Sequence, residues 1–402
     1  MSNYKNYEHI TLDKVRHTCE ICNSDALTEV VSWADFPFTE VYIPSDSYVP
    51  ETYARSDLVL QYCESCTHCQ LKNVVDQKLV YGEGSDYIFR SSQSYSARKS
   101  YETFLEFAGK VINNDSMGNV LEVGCNDLYM IQYMKDHFTS YTGIDPVLGK
   151  LDTTDLPDNC HVVADFFENV CLENTPDVVI CKDVLEHVVE PFSFIEKLVE
   201  KGNDDTLFLV QVPIMETICS GRRFDQVFHQ HLNYYSRHSF EVMLQRLNCS
   251  LEYFDINHFH WGVGLFAFKK GKATLSDKQV NLAEISHARD VFLQRMKVAQ
   301  DCLEQQAGLG PLVGFGAGLM LSVYAYHIPA LELLSFIIDD DETKHQTKCL
   351  HLQKKIKSSS DIDFSNVALI LAAVSSRANV LKMMNKAIEW TPRNIINVAY
   401  EI

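Results

Sequence analysis

The sequence lacks any run of about eighteen apolar residues, the minimum for a membrane-spanning helix, so no membrane partner is expected. Its opening stretch, MSNYKNYEHITLDK, has no apolar core of the secretory kind, which points to a cytoplasmic location. Positive charge is also scarce: 35 Lys and Arg stand against 54 Asp and Glu, a formal charge of −19. A surface that acidic repels polyphosphate at long range, so nucleic acid is not expected as a partner. A local pocket for one nucleotide stays open. Low-complexity segments are missing too. What is present is globular in composition, 46% hydrophobic and 22% charged over 402 residues, a length that usually divides into two or three cores.

Thirteen cysteines without an export signal imply reduced thiols and not a disulfide framework. Cys125, Cys160, Cys181, Cys249 and Cys302 sit singly in apolar runs and read as small buried hydrophobes. The segments HTCEIC and YCESCTHCQL are different. Each CxxC places two thiolates on one tight turn, and two such turns supply the four sulfurs of a tetrahedral structural zinc site. The expected ligands are Cys19, Cys22, Cys63 and Cys66, with Cys69, His17 and His68 as spare donors. Four sulfurs leave no open position, so a catalytic zinc is not expected there. Metal binding lets a stretch too small for its own core fold.

Helical spacing of Phe104, Phe107, Ala108 and Val111 predicts a helix over about 101–111. Strands then alternate with helices: NVLEVGCND, SYTGIDP, DVVICKD and TLFLVQVP are strands, and PFSFIEKLVEK is a helix. That alternation predicts a parallel, doubly wound α/β sheet. An amphipathic helix over 281–305 presents Leu282, Ile285, Phe292, Met296, Ala299 and Leu303 on one stripe and serves as a connector. The pattern then restarts with PLVGFGAG, LSFIIDDD and VALILAAV. The predicted organisation is a zinc-binding domain at 1–75, an α/β catalytic domain at 76–270 and a C-terminal Rossmann-like domain at 271–402.

Three constellations carry chemistry. In VLEVGCND, Gly124 offers a turn where backbone can touch a cofactor, and Asp145 follows about 20 residues on, placed to accept ribose hydroxyls. Only one glycine is present, so a dinucleotide's GxGxxG is not met. An amino-acid tail with an amino group suits Glu122, Asn126 and Asp127 better than a pyrophosphate would. Asp165 and Asp183, at the ends of the following segments, are further expected cofactor contacts. The second constellation, DVLEHV, follows the strand VVIC and is expected to turn His187 toward a substrate. The third, RFDQVFHQHLNYYS, is a loop expected to present His229, Gln230, His231 and Tyr234 to a pocket, histidine being the natural general base near neutrality. The two histidines at i and i+2 lack a third metal ligand spaced near them in sequence.

Taken together, the motifs resemble the nucleotide-sugar C-methyltransferases of deoxysugar biosynthesis along nearly the whole chain. That family joins a zinc-binding N-terminal domain, a class I S-adenosylmethionine-dependent methyltransferase core and a Rossmann-like C-terminal domain. Its double CxxC followed by QL is similar to Cys19, Cys22, Cys63, Cys66, Gln70 and Leu71, and its E-x-G-x-N-D loop to Glu122, Gly124, Asn126 and Asp127. Leu128 stands where the family has a further glycine. His187 matches the histidine of an NVLAHV-like segment, Tyr87–Ser92 a tyrosine–serine segment, and the GFGA turn at 314–317 with IIDDD and Lys344 the family's GYGA, VVD and KQG. The resemblance implies methylation beside the ketone of a nucleoside-diphosphate-linked 4-keto sugar through an enolate. His231 would be the base, with His187, Tyr87 and Gln230 in the substrate site. Where the family reads YHEH this chain reads FHQH, losing a phenolic hydroxyl at Phe228 and a carboxylate at Gln230. O- or N-methylation of a related nucleotide sugar or small metabolite is the alternative within enzymes, and a binding protein on the same fold the alternative outside them.

Overall fold

The computed structural model describes residues 10, 12–50, 53–76, 91–112, 116–134, 136–150, 156–259, 261–277, 280–360, 362–371 and 377–398. Six strands open the chain: β1 (Leu12–Val15), β2 (Leu27–Pro37), β3 (Tyr42–Pro44), β4 (Arg55–Cys63), β5 (Cys69–Leu71) and β6 (Asn73–Val75). The long β2 and β4 pair antiparallel and span about half of the forty-residue gap between the two CxxC turns. Register shifts at Glu29/Val31 and Trp33/Phe36 bend β2, as bulges do.

The central sheet has seven strands: β7 (Asn119–Val123), β8 (Ser140–Ile144), β9 (Cys160–Val163), β10 (Val178–Lys182), β11 (Leu207–Pro213), β13 (Cys249–Asn257) and β14 (Val263–Lys270). A two-residue strand, β12 (Asn233–Tyr234), interrupts the series and belongs elsewhere. The order is β13-β14-β11-β10-β7-β8-β9. All neighbours run parallel except at β14, which is antiparallel to both β11 and β13. The residues of β10 and β11 are buried throughout, as expected of strands covered on both faces. The chain leaves β7 for β8 on one side and returns to β10 on the other. That makes the carboxyl ends of β7 and β10 the switch point at which such sheets open a crevice.

Helix Tyr95–Val111 covers one face, burying Tyr101, Phe104, Phe107 and Ala108. It begins earlier than the apolar spacing predicts, because Ser94 caps it by accepting from the Ala97 amide and its first turn is polar. Helix Leu282–Ala307 starts in a reciprocal Asn281–Glu284 capping box and buries Ile285, Ala288, Phe292, Met296 and Leu303.

Beyond it lie β15 (Leu312–Phe315), β16 (Leu334–Ile338), β17 (Thr347–Cys349), β18 (Ile356–Lys357), β19 (Ala368–Leu371) and β20 (Asn394–Asn397). Five of them form a wholly parallel sheet in the order β18-β16-β15-β19-β20, a Rossmann-like arrangement with its own switch point after β15.

Two short pairings tie the pieces together. β12 joins the edge of β5, so the N-terminal sheet reads β12-β5-β4-β2, and β17 pairs with β3. The buried Arg16 adds a third tie: its guanidinium donates to the carbonyls of Leu232 at 2.9 Å and Val189 at 2.5 Å. No described helix is long and apolar enough to cross a membrane.

Candidate active site and zinc centre

The zinc centre builds from two matching turns. Asn23 donates to the Cys19 carbonyl and Thr67 to the Cys63 carbonyl, each at 2.8 Å, and both Asn23 and Thr67 take positive φ to close the turn. The Cys19 and Cys66 sulfurs lie 3.5 Å apart, those of Cys22 and Cys63 3.6 Å. Tetrahedral zinc with bonds of about 2.3 Å sets its sulfurs about 3.8 Å apart, so the four thiols fit that ion. Cys69 is buried in β5 and His68 is buried over Tyr235, while His17 is exposed. None of these three joins the four-sulfur cluster.

A cavity of about 1180 Å³ opens where β7, β8 and β10 end. β7 runs into Gly124 at φ +80°, and its amide donates to the Ile144 carbonyl at the end of β8. A Cβ at Gly124 would stand 2.1 Å from Val184 Cγ2, so a side chain is barred by contact as well as by φ. Asp145, almost fully buried, accepts from the Asn126 amide at 2.8 Å and the Val147 amide at 2.9 Å, which fixes its carboxylate at the cavity wall. Asp165 lies further along that wall, beside the half-exposed ring of Phe166.

Asp183 also lines the cavity, at φ +56°. Lys182 meets its Oδ2 at 2.5 Å, and Gln211 donates to its Oδ1 at 2.7 Å. Lys182 also stands 4.1 Å over the Tyr101 ring.

Three residues of the expected cofactor loop also make contacts within the protein. The Asn126 side chain accepts from the Ser91 amide and that of Asp127 from the Ser92 amide, clasping the segment that precedes helix Tyr95–Val111. Asn126 still reaches the cavity wall; Asp127 and Glu122 do not. Glu122 is wholly buried, accepts from the Tyr141 hydroxyl at 2.5 Å, and has its carboxyl pushed up to about 7 by burial.

His187 and His231 line the same cavity. A tight turn, Leu185–His187, follows β10, and Asn233 braces it by donating to the carbonyls of Leu185 and Val188. His187 Nδ1 lies 2.6 Å from the Gln230 carbonyl oxygen, and burial pulls its pKa down to about 4. The His187 and His231 rings are 5.0 Å apart at 66°. His231, 4% exposed, packs against Phe228 at 4.2 Å and Trp261 at 5.3 Å.

Gln230 and Phe228 also reach the cavity, with Gln230 Nε2 donating to the Thr39 carbonyl of the N-terminal module. His229 and Tyr234 point elsewhere. His229 stacks on Phe38 and meets the carbonyls of Phe36 and Ser56, and the Tyr234 hydroxyl receives the Phe228 amide and donates to the Gln226 carbonyl. Tyr87 lies outside the described residues.

Sequence reasoning missed Glu186, Lys182, Trp261 and the bracing groups Arg16 and Asn233. Glu186 was visible inside DVLEHV, though nothing in spacing said which way it would turn.

Family comparison fits this geometry. Residues 93–253 match a family described as a methyltransferase domain, and residues 19–81 match a zinc binding domain family. The chain carries a methyltransferase domain. Its sheet order, with a single antiparallel strand, is that of the class I S-adenosylmethionine-dependent fold.

The C-methyltransferase NovU of Streptomyces niveus is 21% identical over 224 residues, covering 54% of this chain and 52% of that protein. The chain thus matches about half the length of that curated relative. Two solved structures are similar over a little under half of the chain. One is the complex of the Haloferax volcanii Trm112 methyltransferase activator with a methyltransferase, at 11% identity and TM-score 0.37, covering 45% of this chain and 96% of that one. The other is the N-methyltransferase NodS of Bradyrhizobium japonicum with S-adenosylhomocysteine, at 12% identity and TM-score 0.36, covering 46% and 93%.

The residues present fit S-adenosylmethionine. The Cβ-free surface at Gly124, the fixed carboxylate of Asp145 and the Asp165–Phe166 edge lie along one wall, at the sheet's switch point.

Proposed function

We propose that the chain is an S-adenosylmethionine-dependent methyltransferase that methylates the carbon beside the ketone of a nucleoside-diphosphate-linked 4-keto deoxysugar. The observation that carries this reading is the meeting, in one cavity, of the Gly124–Asp145 wall with the His187–His231 pair. Bound there, the cofactor would supply an electrophilic methyl group.

In this reading Asp145 would hold the ribose hydroxyls of the cofactor, with Asp165, Phe166 and Asp183 as its further contacts. His231 removes the proton alpha to the ketone, and His187, locked through Nδ1, lines the substrate beside it. Holding the acceptor fixed in the cavity would supply much of the rate, since alignment replaces a diffusional encounter. The Phe228 and Trp261 rings exclude water from the enolate.

A second reading, transfer to a sugar hydroxyl, is favoured by one observation. Phe228 sets a hydrocarbon ring, and not a donor, against His231. A hydroxyl acceptor needs only deprotonation and alignment, with no enolate oxygen to stabilise.

Deuterium exchange separates the two. A 4-keto sugar nucleotide labelled at the adjacent ring carbon loses deuterium to solvent in the presence of the enzyme if the carbon is the acceptor. Retention of the label with methylation at oxygen would overturn the carbon reading and leave the methyltransferase.

A further inference from the structure

We propose that Glu186, His187 and His231 form a binding site for a first-row divalent cation inside the cavity, separate from the four-cysteine centre. The ligand atoms of the three residues lie within 4.8 Å of one another, and all three residues line the cavity. The pair His229 and His231 has no third ligand near it in sequence, and the fold turns His229 away toward Phe36 and Phe38. The fold brings His231 a carboxylate from the turn after β10, together with a second imidazole.

The polar character of this wall points the same way. The Gln230 carbonyl can only accept, so His187 Nδ1 carries the proton and the lone pair of the neutral ring sits on Nε2. Glu186 Oε2 and Gln230 Oε1 are buried acceptors with no hydrogen-bond partner, on side chains that are 2% and 7% exposed. A cation beside Glu186 would satisfy its unpartnered oxygen, which is otherwise costly to bury.

Two imidazoles and one carboxylate suit Fe2+, Co2+, Ni2+ or Zn2+ better than soft Cu+ or the all-oxygen preference of Ca2+. Three protein ligands leave positions open to the cavity. Where the site lies does not depend on the proposed reaction. Its consequence rests on that reading: a cation held by His231 occupies the lone pair the base would use, so occupancy inhibits methyl transfer.

The test uses the zinc-loaded full chain and Co2+ alone as probe, with bound metals counted after equilibrium dialysis and the visible spectrum recorded. One cobalt binds beyond the retained zinc, with ligand-field bands and no thiolate charge-transfer band. Its affinity falls at least about tenfold in Glu186→Gln and in His187→Ala, both checked as folded by circular dichroism. No additional cobalt, equal binding by both variants, or cobalt entering with thiolate bands and zinc release would each overturn the site. Failure of the methyltransferase reading would show instead as absent S-adenosylhomocysteine binding, with the cobalt result unaffected.

Discussion

His187 donates its Nδ1 proton to the carbonyl of Gln230, 2.6 Å away, and this one bond joins the turn after β10 to the loop that carries His231. The contact sets both the tautomer of one histidine and the position of the other. His187→Asn keeps a donor near the Nδ1 position but has no nitrogen where Nε2 was; His187→Ala loses both. Both variants are expected to lose about 10²-fold in kcat, the cost of misplacing a substrate by about an ångström. Only the alanine variant should also lower the melting temperature, by a few degrees, as measured by calorimetry. An asparagine variant as active as the parent would show that Nε2 has no part in turnover.

The zinc centre reaches the active site through β5. Asn233 and Tyr234 pair with Gln70 and Cys69, a few residues past the second CxxC turn. Chelating the zinc is therefore expected to release backbone protection over residues 228–235 together with 19–75, as read by hydrogen exchange. Binding of S-adenosylhomocysteine should survive, because Gly124 and Asp145 stand on the central sheet. Loss of protection confined to the cysteine turns would contradict this linkage.

Leu128 holds φ +60° where the resembled family has glycine, and its side chain is buried in a hydrophobic cluster with Tyr101 and Phe104. A left-handed leucine costs about 1–2 kcal/mol in backbone strain, which glycine relieves and alanine does not. Leu128→Gly should thus be more stable than Leu128→Ala by about 1 kcal/mol, while both fall below the parent through lost packing. Urea midpoints of the three proteins decide this. An alanine variant equal to or better than glycine would mean that the turn is not strained.

Acid stability follows from neutral histidines, of which His229 is buried and His327 and His351 are partly so. Burial pulls His229 and His327 down to about 4 and His351 to about 3. Unfolded histidines take up protons first, near pH 6.5, so the stability these groups confer is complete above that pH. It is lost as pH falls toward 4. Glu122, raised to about 7 by burial, works in the other direction: folding favours its protonated form, so acidification between pH 7 and 4.5 adds stability. Glu122→Gln should accordingly steepen the loss of stability between pH 7.5 and pH 5, by about 2 kcal/mol. An unchanged slope in urea titrations would contradict the burial of Glu122 as a carboxylic acid.

Much of this was legible from local pattern. The alternation of strands and helices, the Gly124–Asp145 spacing and the paired CxxC turns are signals carried within a few residues or at a fixed offset, and each appears in the fold at its place. The pairings of β12 with β5 and β17 with β3 left no such signal. They join short strands about 160 and 300 positions apart, and a two-residue strand has no periodicity to read. Arg16 was opaque for the same reason, since its partners are backbone carbonyls whose identity a sequence does not encode. Glu122 and Asp127 show a different limit. Acidic residues in a cofactor loop can serve a buried tyrosine or a neighbouring amide, and only the backbone path decides which.

The central claim is that the Gly124–Asp145 wall holds S-adenosylmethionine while the histidines act on the acceptor. Calorimetric titration of S-adenosylhomocysteine into the zinc-loaded protein, alongside Asp145→Ala and His231→Ala, tests it most directly. Micromolar binding by the parent and His231→Ala, weakened about tenfold or more in Asp145→Ala, is the predicted result. No binding by a folded, zinc-loaded parent, or equal loss in His231→Ala, would contradict it.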